Sequence, residues 1–172
     1  MKEIRIHGRG GQGGKKLSKI IAQAAFLEGK IPQSFALYGA ERRGAPVVSF
    51  VRIDDKPIEL RGYITNPDVV IVLDDSLLKI AEDDINFETD VIINTSNLIE
   101  QYKYWGVDAT KIAMDCFSKN IVNTAMCGAF AKVTELVSLR SIVDAIRYEF
   151  GSMPVKVVEA NVMAAINAYE VI

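Results

Sequence analysis

Two glycine-bounded loops carry the residue types and spacing in this sequence that can bind a ligand. The first loop fits the pattern Gly8-x-Gly10-x-x-Gly13 and stands between a predicted strand and a predicted helix. Glycines in such a loop allow the backbone to approach a ligand closely, and the unpaired amides at the start of the helix point at an anion. This loop is therefore a candidate site for a negatively charged group.

The first loop lacks the other parts of a nucleotide site. A dinucleotide site needs an acidic residue about 20 residues further on, for the ribose, but no Asp or Glu lies between Ile31 and Ala40. A phosphate-binding Walker loop is excluded too, because no Lys-Ser or Lys-Thr pair follows at the required spacing. A free-standing nucleotide-binding module stays an alternative that only the glycines support.

The second loop, residues 38–46, concentrates positive charge. Arg42 and Arg43 follow Glu41 within it, while Arg9 lies in the first loop. In a doubly wound sheet, the loops at the carboxyl ends of the strands gather at one edge, where ligands bind. The three arginines are predicted to converge there on a phosphate, a carboxylate or an acidic partner. In the alternative interpretation, Glu41 pairs with one arginine and the others are solvated.

No catalytic residue is predicted. His7 is the only histidine, and no Ser–His–acid or Cys–His arrangement can be argued around it, so hydrogen bonding within the fold is the simpler explanation. Asp74 and Asp75 are interpreted as helix caps. Four aromatic residues surround the second loop in this interpretation, with Phe50 assigned to the core: Phe35, Tyr38, Phe50 and Tyr63.

The elements that position the loops alternate between strands and helices. Apolar alternation and short apolar runs predict strands at 4–6, 31–35, 47–53, 69–73, 91–93 and 111–114. Helical spacing predicts helices at 17–27, from Leu77 onward, and at 121–134, 139–150 and 155–169. A turn at 54–57 is predicted to form a β-hairpin with 58–60. The pattern predicts one domain over residues 1–172, with a three-layer, Rossmann-like α/β fold, a largely parallel sheet, a β-hairpin addition and helices on both faces.

Composition limits the classes of function. The chain has 172 residues, of which 49% are hydrophobic and 24% charged, and its formal net charge is −2. These values are typical of a packed globular protein and give no reason to expect a nucleic-acid or membrane partner. Cys116 and Cys127 have no neighbour at metal-ligand spacing, so no metal site is predicted. A cytoplasmic protein with reduced thiols is expected.

Two motifs, in this order, resemble one known family. The segment 7–13, His-Gly-Arg-Gly-Gly-Gln-Gly, and the segment 38–47, Tyr-Gly-Ala-Glu-Arg-Arg-Gly-Ala-Pro-Val, resemble the gamma subunit, or domain III, of 2-oxoacid:ferredoxin oxidoreductases. The pyruvate:ferredoxin (pyruvate synthase) group is the most similar. The likeness continues through 52–58 and 123–132 and covers nearly the whole chain.

The resemblance implies a subunit of a larger enzyme. Such enzymes convert a 2-oxo acid, coenzyme A and oxidised ferredoxin into acyl-CoA, carbon dioxide and reduced ferredoxin, using thiamine diphosphate with Mg²⁺ and iron–sulfur clusters. The resemblance places these cofactors in partner chains, a thiamine-binding subunit and a ferredoxin-like subunit, with ferredoxin or flavodoxin as the electron acceptor. The gamma chain is then non-redox and inactive alone, in agreement with the lack of a Gly-Asp-Gly thiamine signature here.

The resemblance makes the two loops contact sites rather than catalytic ones. Their arginines, Arg9, Arg42 and Arg43, are expected to face either the phosphates of coenzyme A or acidic residues of a sister subunit. An assembly scaffold, whose arginines form only salt bridges, is a further alternative. The candidate residues of the two loops are His7, Gly8, Arg9, Gly10, Gly11, Gln12, Gly13, Tyr38, Gly39, Glu41, Arg42, Arg43 and Gly44.

Overall fold

A six-stranded sheet organises the chain in a computed structural model that describes residues 1–37, 44–97, 99, 101 and 103–172. The strands are β1 (Lys2–Arg9), β2 (Ile31–Ala36), β3 (Pro46–Asp54), β4 (Val69–Val72), β5 (Asp90–Asn94) and β6 (Tyr104–Val107). The helices are α1 (Gly14–Leu27), α2 (Leu78–Ala81), α3 (Ala109–Phe117), α4 (Asn123–Thr134), α5 (Leu139–Glu149) and α6 (Val155–Val171). Two 3₁₀ turns flank α2, at Asp75–Leu77 and Glu82–Asp84.

The strand order in the sheet is β2-β3-β1-β4-β5-β6. The strands β1, β4, β5 and β6 pair in parallel, whereas β3 runs antiparallel to both of its neighbours, β1 and β2. A β2–β3 hairpin thus extends a parallel sheet. The predicted α/β fold with a largely parallel sheet is confirmed, but the hairpin consists of β2 and β3 rather than of the segments predicted to form it.

The two faces of the sheet are covered unequally. One face packs against α1 and against α3 to α6, and it holds the larger core, in which Ile6, Ile71 and Ile92 are fully buried. The other face, which we call the thinner face, buries Val72 and Ile93 under the short helix α2 and its flanking turns. Because side chains alternate between faces along a strand, the neighbours Ile71 and Val72 serve opposite cores. Helices on both faces give the three predicted layers.

The hairpin predicted between 47–53 and 58–60 is wrong. Residues 58–60 form no strand, and the guanidinium of Arg52 instead donates hydrogen bonds to the carbonyl oxygens of Leu60 and Gly62. One edge of β3 is paired with β1 and the other with β2. Because β3 has no free edge, a following strand has no place beside it.

The strand predicted at 111–114 is also wrong, because these residues lie inside α3. The carboxylate of Asp108 accepts a hydrogen bond of 2.8 Å from the backbone amide of Lys111 and so caps the N-terminus of this helix. The sixth strand is β6, which the sequence analysis did not predict. It is four residues long and contains Gly106, a residue type depleted in strands.

The remaining helix predictions are confirmed. The ends of α4, α5 and α6 lie within two residues of the predicted ones, and α1 begins at Gly14 rather than Leu17. In the described ranges, no helix is long and apolar enough to cross a membrane.

Candidate functional site

The first loop meets the described end of the second loop, Gly44 and Ala45, at the carboxyl ends of β1 and β4, the two middle strands of the sheet. From β1 the chain enters α1 on one face, and from β4 it enters α2 on the other face. Where neighbouring strands send their connections to opposite faces, a crevice forms in which doubly wound folds bind ligands. The first loop and Asp74 border this switch point.

Two glycines of the first loop, Gly8 and Gly13, lie close to neighbouring side chains. A Cβ atom on Gly13 would lie 2.6 Å from Nδ2 of Asn123, and the φ angle of Gly13 is 85°, in the left-handed region. A Cβ atom on Gly8 would lie 2.9 Å from Cδ1 of Leu73. Both positions therefore favour glycine because of their protein neighbours. A bound anion is not needed to explain glycine at these two positions.

Asp74 is the centre of a hydrogen-bond cluster that holds the first loop. Its carboxylate accepts hydrogen bonds from Nε2 of Gln12 at 3.0 Å, from the backbone amide of Ser76 at 3.1 Å and from Nε of Arg9 at 3.3 Å. Burial raises the pKa of Asp74, but the hydrogen bonds from Ser76 and Gln12 and the charge of Arg9 outweigh it and hold the pKa below its usual value. Asp74 is therefore ionised at neutral pH.

The guanidinium of Arg9 forms hydrogen bonds with other residues of the same chain. Besides its contact with the carboxylate, its guanidinium donates from Nη1 to the carbonyl oxygen of Gly44 at 3.2 Å and from Nη2 to Oγ of Ser76 at 2.7 Å. Two backbone hydrogen bonds also join the loops, from Gly10 to the carbonyl of Ala45 at 2.9 Å and from Gly44 to the carbonyl of Gly10 at 3.1 Å. Arg9 thus fastens the end of the second loop to the first.

The rest of the second loop lies outside the described residues. This applies to the candidate residues Tyr38, Gly39, Glu41, Arg42 and Arg43. The predicted convergence of Arg42 and Arg43 with Arg9 stays a prediction.

His7 lies on the thinner face of the sheet and is 3% exposed. Its Nε2 is 3.0 Å from the carboxylate of Asp84, which also receives Nη1 of Arg5 at 2.9 Å. Burial is the largest influence on the pKa of His7; Asp84 raises the pKa and Arg5 lowers it, so that it lies below the ordinary value of 6.5. The contact fastens the turn after α2 to β1. This geometry favours the structural role that the sequence analysis gave as the simpler explanation, and that role stays a prediction.

A polar crevice of about 450 Å³ opens beside the Asp74 cluster, over the ends of β4, β5 and β6. Asn94 organises it, because its Nδ2 donates to the carbonyl of Leu73 at 3.0 Å and its Oδ1 accepts from the amide of Thr110 at 3.1 Å. The charged residues that line the crevice are Asp74, Asp75, Asp108 and Lys111. Since carboxylates outnumber ammonium groups, the crevice suits a neutral polar or cationic group better than a phosphate.

Sequence reasoning identified Asp74 only as a helix cap, a prediction that its bond to Ser76 confirms. It missed the contacts of Asp74 with the first loop, and it missed Asn94 and Thr110. A usable signal existed for Asn94, since it directly follows the apolar segment 91–93 and the carboxyl ends of parallel strands share one edge. Thr110 had none, because the helix that carries it was predicted as a strand.

The aromatic residues near the second loop form a stack on the thinner face. Phe50 is fully buried and stacks on Phe35, with ring centroids 4.9 Å apart, and on Tyr63, at 5.7 Å. The predicted core position of Phe50 is confirmed. The buried Arg52 contacts this stack and donates from Nε to the carboxylate of Glu3 at 2.7 Å.

Within the described part of the chain, no group of three or more His, Cys, Asp or Glu side chains could hold a metal ion. Cys127 is buried and Cys116 half-buried, and burial raises the pKa of both thiols. An iron–sulfur cluster is held by a full set of cysteine thiolates. The two cysteines of this chain do not fit such a cluster.

The fold and the site define an α/β chain with a glycine-rich loop at its switch point, and comparison with known proteins identifies the family. Residues 3–171 match the model of the pyruvate ferredoxin/flavodoxin oxidoreductase family. Pyruvate synthase subunit PorC of Methanothermobacter thermautotrophicus is 46% identical over 174 residues, which cover 99% of this chain and 95% of the relative. The pyruvate/ketoisovalerate oxidoreductases common subunit gamma of Pyrococcus furiosus is 45% identical, with coverage of 99% and 96%. The chain belongs to the pyruvate ferredoxin/flavodoxin oxidoreductase family, which confirms the resemblance of its loop motifs.

Solved structures have the same fold. The crystal structure of pyruvate oxidoreductase subunit PORC from Thermotoga maritima matches with a TM-score of 0.85 and 37% identity, over 98% of this chain and 95% of that one. A 2-oxoglutarate:ferredoxin oxidoreductase from Magnetococcus marinus, solved with 2-oxoglutarate, coenzyme A and succinyl-CoA bound, matches with a TM-score of 0.83 and 19% identity. That match covers 99% of this chain but 31% of the other, so the same fold there is one part of a longer chain.

Proposed function

We propose that this chain is the gamma subunit of a multi-subunit pyruvate:ferredoxin oxidoreductase. The observation that carries the proposal is the 46% identity to a pyruvate synthase subunit PorC over nearly the full length of both chains. The complex converts a 2-oxo acid, coenzyme A and oxidised ferredoxin or flavodoxin into acyl-CoA, carbon dioxide and the reduced carrier. Pyruvate is the proposed 2-oxo acid, and the proposed location is the cytoplasm.

A second substrate is supported by one relative. The Pyrococcus furiosus chain at 45% identity is named a subunit common to pyruvate and ketoisovalerate oxidoreductases. A gamma chain of this kind therefore serves enzymes of different substrate range when the substrate-selecting residues lie in the other subunits. The test is to combine this chain with its partner subunits and compare pyruvate with 2-ketoisovalerate in the same assay.

Within the complex, this chain is a non-redox component that forms one domain over residues 1–172. Thiamine diphosphate, Mg²⁺ and the iron–sulfur clusters are assigned to the thiamine-binding and ferredoxin-like partner subunits. Two facts about this chain support the assignment: its cysteines are too few for a cluster, and Cys127 is fully buried in the core.

The edge that holds the two loops is proposed as a contact surface for a sister subunit. Coenzyme A phosphates are the other candidate for this edge, but three of the five N–H donors of Arg9 are already used by Asp74, Ser76 and Gly44. The crevice beside them is lined by more carboxylates than ammonium groups. Both facts favour a polar or basic protein surface over a phosphate at this part of the edge.

The experiment is a reconstitution under anaerobic conditions. The partner subunits are purified without this chain, and coenzyme A-dependent reduction of viologen by pyruvate is measured with and without it. We expect the isolated chain to be inactive and to restore activity when added to its partners. Full activity of the isolated chain, or full activity of the partners without it, would falsify the proposal.

Calorimetry tests the alternative function, a free-standing nucleotide-binding module. The isolated chain is titrated with NAD, FAD and ATP. The chain has no acidic residue where a dinucleotide site needs one for the ribose, and three N–H donors of Arg9 are already hydrogen-bonded within the protein. We therefore expect no micromolar binding. A stoichiometric micromolar complex with one of these nucleotides would favour the alternative.

A further inference from the structure

A second cavity lies on the helical side of the protein, apart from the crevice at the strand ends. It is a cleft of about 470 Å³ between the α3–α4 connection and the first turns of α6. We call it the helical cleft, and the lining residues that matter here are Cys116, Lys119, Ile121, Met153, Lys156 and Val157. Asn123 also lines it, and the same asparagine packs against Gly13 of the first loop. The helical cleft therefore adjoins the proposed contact edge through one shared residue.

The lining of the helical cleft leaves apolar side chains in contact with water. Ile121 is 37% exposed, Val157 39% and Met153 46%. Their exposed surface lies at the mouth of a concave site rather than scattered over the protein. Apolar surface concentrated in this way marks a protein interaction site, and methionine is enriched at such interfaces.

The charge at the helical cleft is positive. Lys119 and Lys156 line it, and none of its lining residues is acidic. Within the described residues, neither ammonium group has an ion-pair partner, while Glu149 pairs with Lys16 at 2.9 Å and Glu159 pairs with Arg147 at 3.1 Å. Two unpaired cations beside an apolar cleft are complementary to carboxylates that flank an apolar side chain.

We propose that the helical cleft docks a segment of a sister subunit in which an aliphatic or aromatic side chain is flanked by carboxylates. The apolar side chain packs against Ile121, Met153 and Val157, and the carboxylates pair with Lys119 and Lys156. This inference rests on the proposed function, because it takes the occupant from the same complex. It extends the contact surface of the chain from the strand ends to the N-terminal end of α6.

The first test is charge reversal. The double variant Lys119→Glu, Lys156→Glu is assembled with the purified partner subunits, and the affinity is measured. Like charges placed against the segment are expected to weaken assembly by at least about tenfold, and the weakening is expected to shrink as salt is raised. Both lysines are exposed, so the isolated variant is expected to keep its circular dichroism spectrum and its urea midpoint.

The matched control carries the same change of charge elsewhere. Lys19 and Lys56 are exposed and line none of the cavities described above. The variant Lys19→Glu, Lys56→Glu is expected to assemble like the wild type. If both double variants lose affinity equally, net charge explains the loss and the proposal is overturned. If the wild type assembles and activates its partners while Lys119→Glu, Lys156→Glu does the same, the docking site is wrong and the proposed function stands.

The second test is the reactivity of Cys116, which lines the helical cleft. Cys127 is buried, and burial raises its pKa well above the ordinary value, so Cys116 is the thiol expected to react in the native protein. We expect bound partner subunits to slow the alkylation of Cys116 by at least about tenfold. The alkylation is followed by intact mass spectrometry, and the variant Cys116→Ser is the blank. An unchanged rate in the assembled complex would contradict the proposal.

Other occupants of the helical cleft give different results. If the isolated chain forms a dimer that Lys119→Glu, Lys156→Glu dissociates, while assembly with the partners is unaffected, the occupant is a second copy of this chain. If micromolar octanoate protects Cys116 in the isolated chain, the occupant is a small amphipathic acid. Either result overturns the docking of a sister subunit.

Discussion

The carboxylate of Asp74 connects the first loop to the turn before α2. Gln12 and Arg9 reach it from the first loop, and Ser76 reaches it from the turn before α2. Arg9 then carries the connection to the carbonyl of Gly44 at the end of the second loop. A charged group that satisfies several donors in a partly buried place is costly to remove, because those donors are left without partners.

Replacing Asp74 by asparagine is expected to loosen both loops. An amide cannot pair with the charge of Arg9, and it replaces an acceptor oxygen by a donor. We expect the free energy of unfolding to fall by about 1–3 kcal/mol, measured by urea denaturation, and assembly with the partner subunits to weaken as well. Asp55→Asn is the matched control, since Asp55 is exposed and lies outside the crevice. Equal effects of the two variants would show that the carboxylate of Asp74 has no special role.

His7 is expected to make stability depend on pH. Burial holds its pKa in the folded protein below the ordinary value, so between the folded pKa and about 6.5 the unfolded chain binds more protons. Stability is therefore complete above about pH 6.5 and falls as the pH drops toward the folded pKa, by at most about 1.4 kcal/mol per pH unit. Because His7 is the only histidine, His7→Gln is expected to flatten the curve in urea titrations over this range. A wild-type curve that is already flat would contradict the buried neutral imidazole.

At the scale of elements, the close contact of α4 and α6 carries much of the packing in the larger core. Gly128 lies in α4 where a Cβ atom would collide with the backbone carbonyl of Ala165 in α6. Backbone atoms cannot yield as a flexible side chain does, so the two helices depend on this glycine. Asn161 of α6 also accepts a hydrogen bond of 3.1 Å from the buried Thr124 of α4.

Adding one methyl group at this contact is expected to destabilise the folded protein strongly. Gly128→Ala forces α4 and α6 apart, and we expect a loss of about 3 kcal/mol or more in the free energy of unfolding. Gly14→Ala makes the same chemical change at the start of α1, where the nearest atom to the new Cβ would be 3.6 Å away, and is expected to be neutral or slightly stabilising. The two variants are compared by thermal and urea unfolding. A tolerated Gly128→Ala would mean that the helices are not in this close contact.

Some secondary-structure elements could be predicted from the sequence and others could not. The strands 4–6 and 69–73 and the three C-terminal helices were predictable, because burial imposes a clear apolar period on them. The strand β6 has no such period, since Trp105 is exposed and Gly106 has no side chain. The apolar segment 111–114 is too short to distinguish a strand from a helix, and the cap at Asp108 decides it. The partners of Arg9 and His7 come from residues distant in sequence, so local patterns could not identify them.

At the scale of the whole molecule, apolar surface is left exposed in several places. Phe87, Val155 and Tyr148 are each more than two thirds exposed, at 85%, 77% and 71%. Exposed apolar side chains are normal when scattered, and they become informative when a protein belongs to an assembly. In the proposed complex, part of this surface is covered by sister subunits.

Assembly is therefore expected to stabilise this chain by mass action. A partner present at about 100 times its dissociation constant adds about 2.7 kcal/mol to the free energy of unfolding. The melting temperature is expected to rise with the concentration of the partner subunits, as followed by hydrogen exchange or by fluorescence of Trp105, the only tryptophan. An equal mass of an unrelated protein is the control. A melting temperature that is independent of partner concentration would indicate that the folded chain gains nothing from assembly.

The two edge strands of the sheet influence whether the unassembled chain can aggregate. A sheet with open ends offers rows of unpaired amides and carbonyls on which a second sheet can grow. Here β6 is only four residues long, and β2 contains Pro32, which has no amide hydrogen to offer an incoming strand. The ends of the sheet thus resist edge-to-edge polymerisation, even while apolar side chains elsewhere remain uncovered. We therefore expect a subunit synthesised ahead of its partners to be protected at its sheet edges against fibril formation.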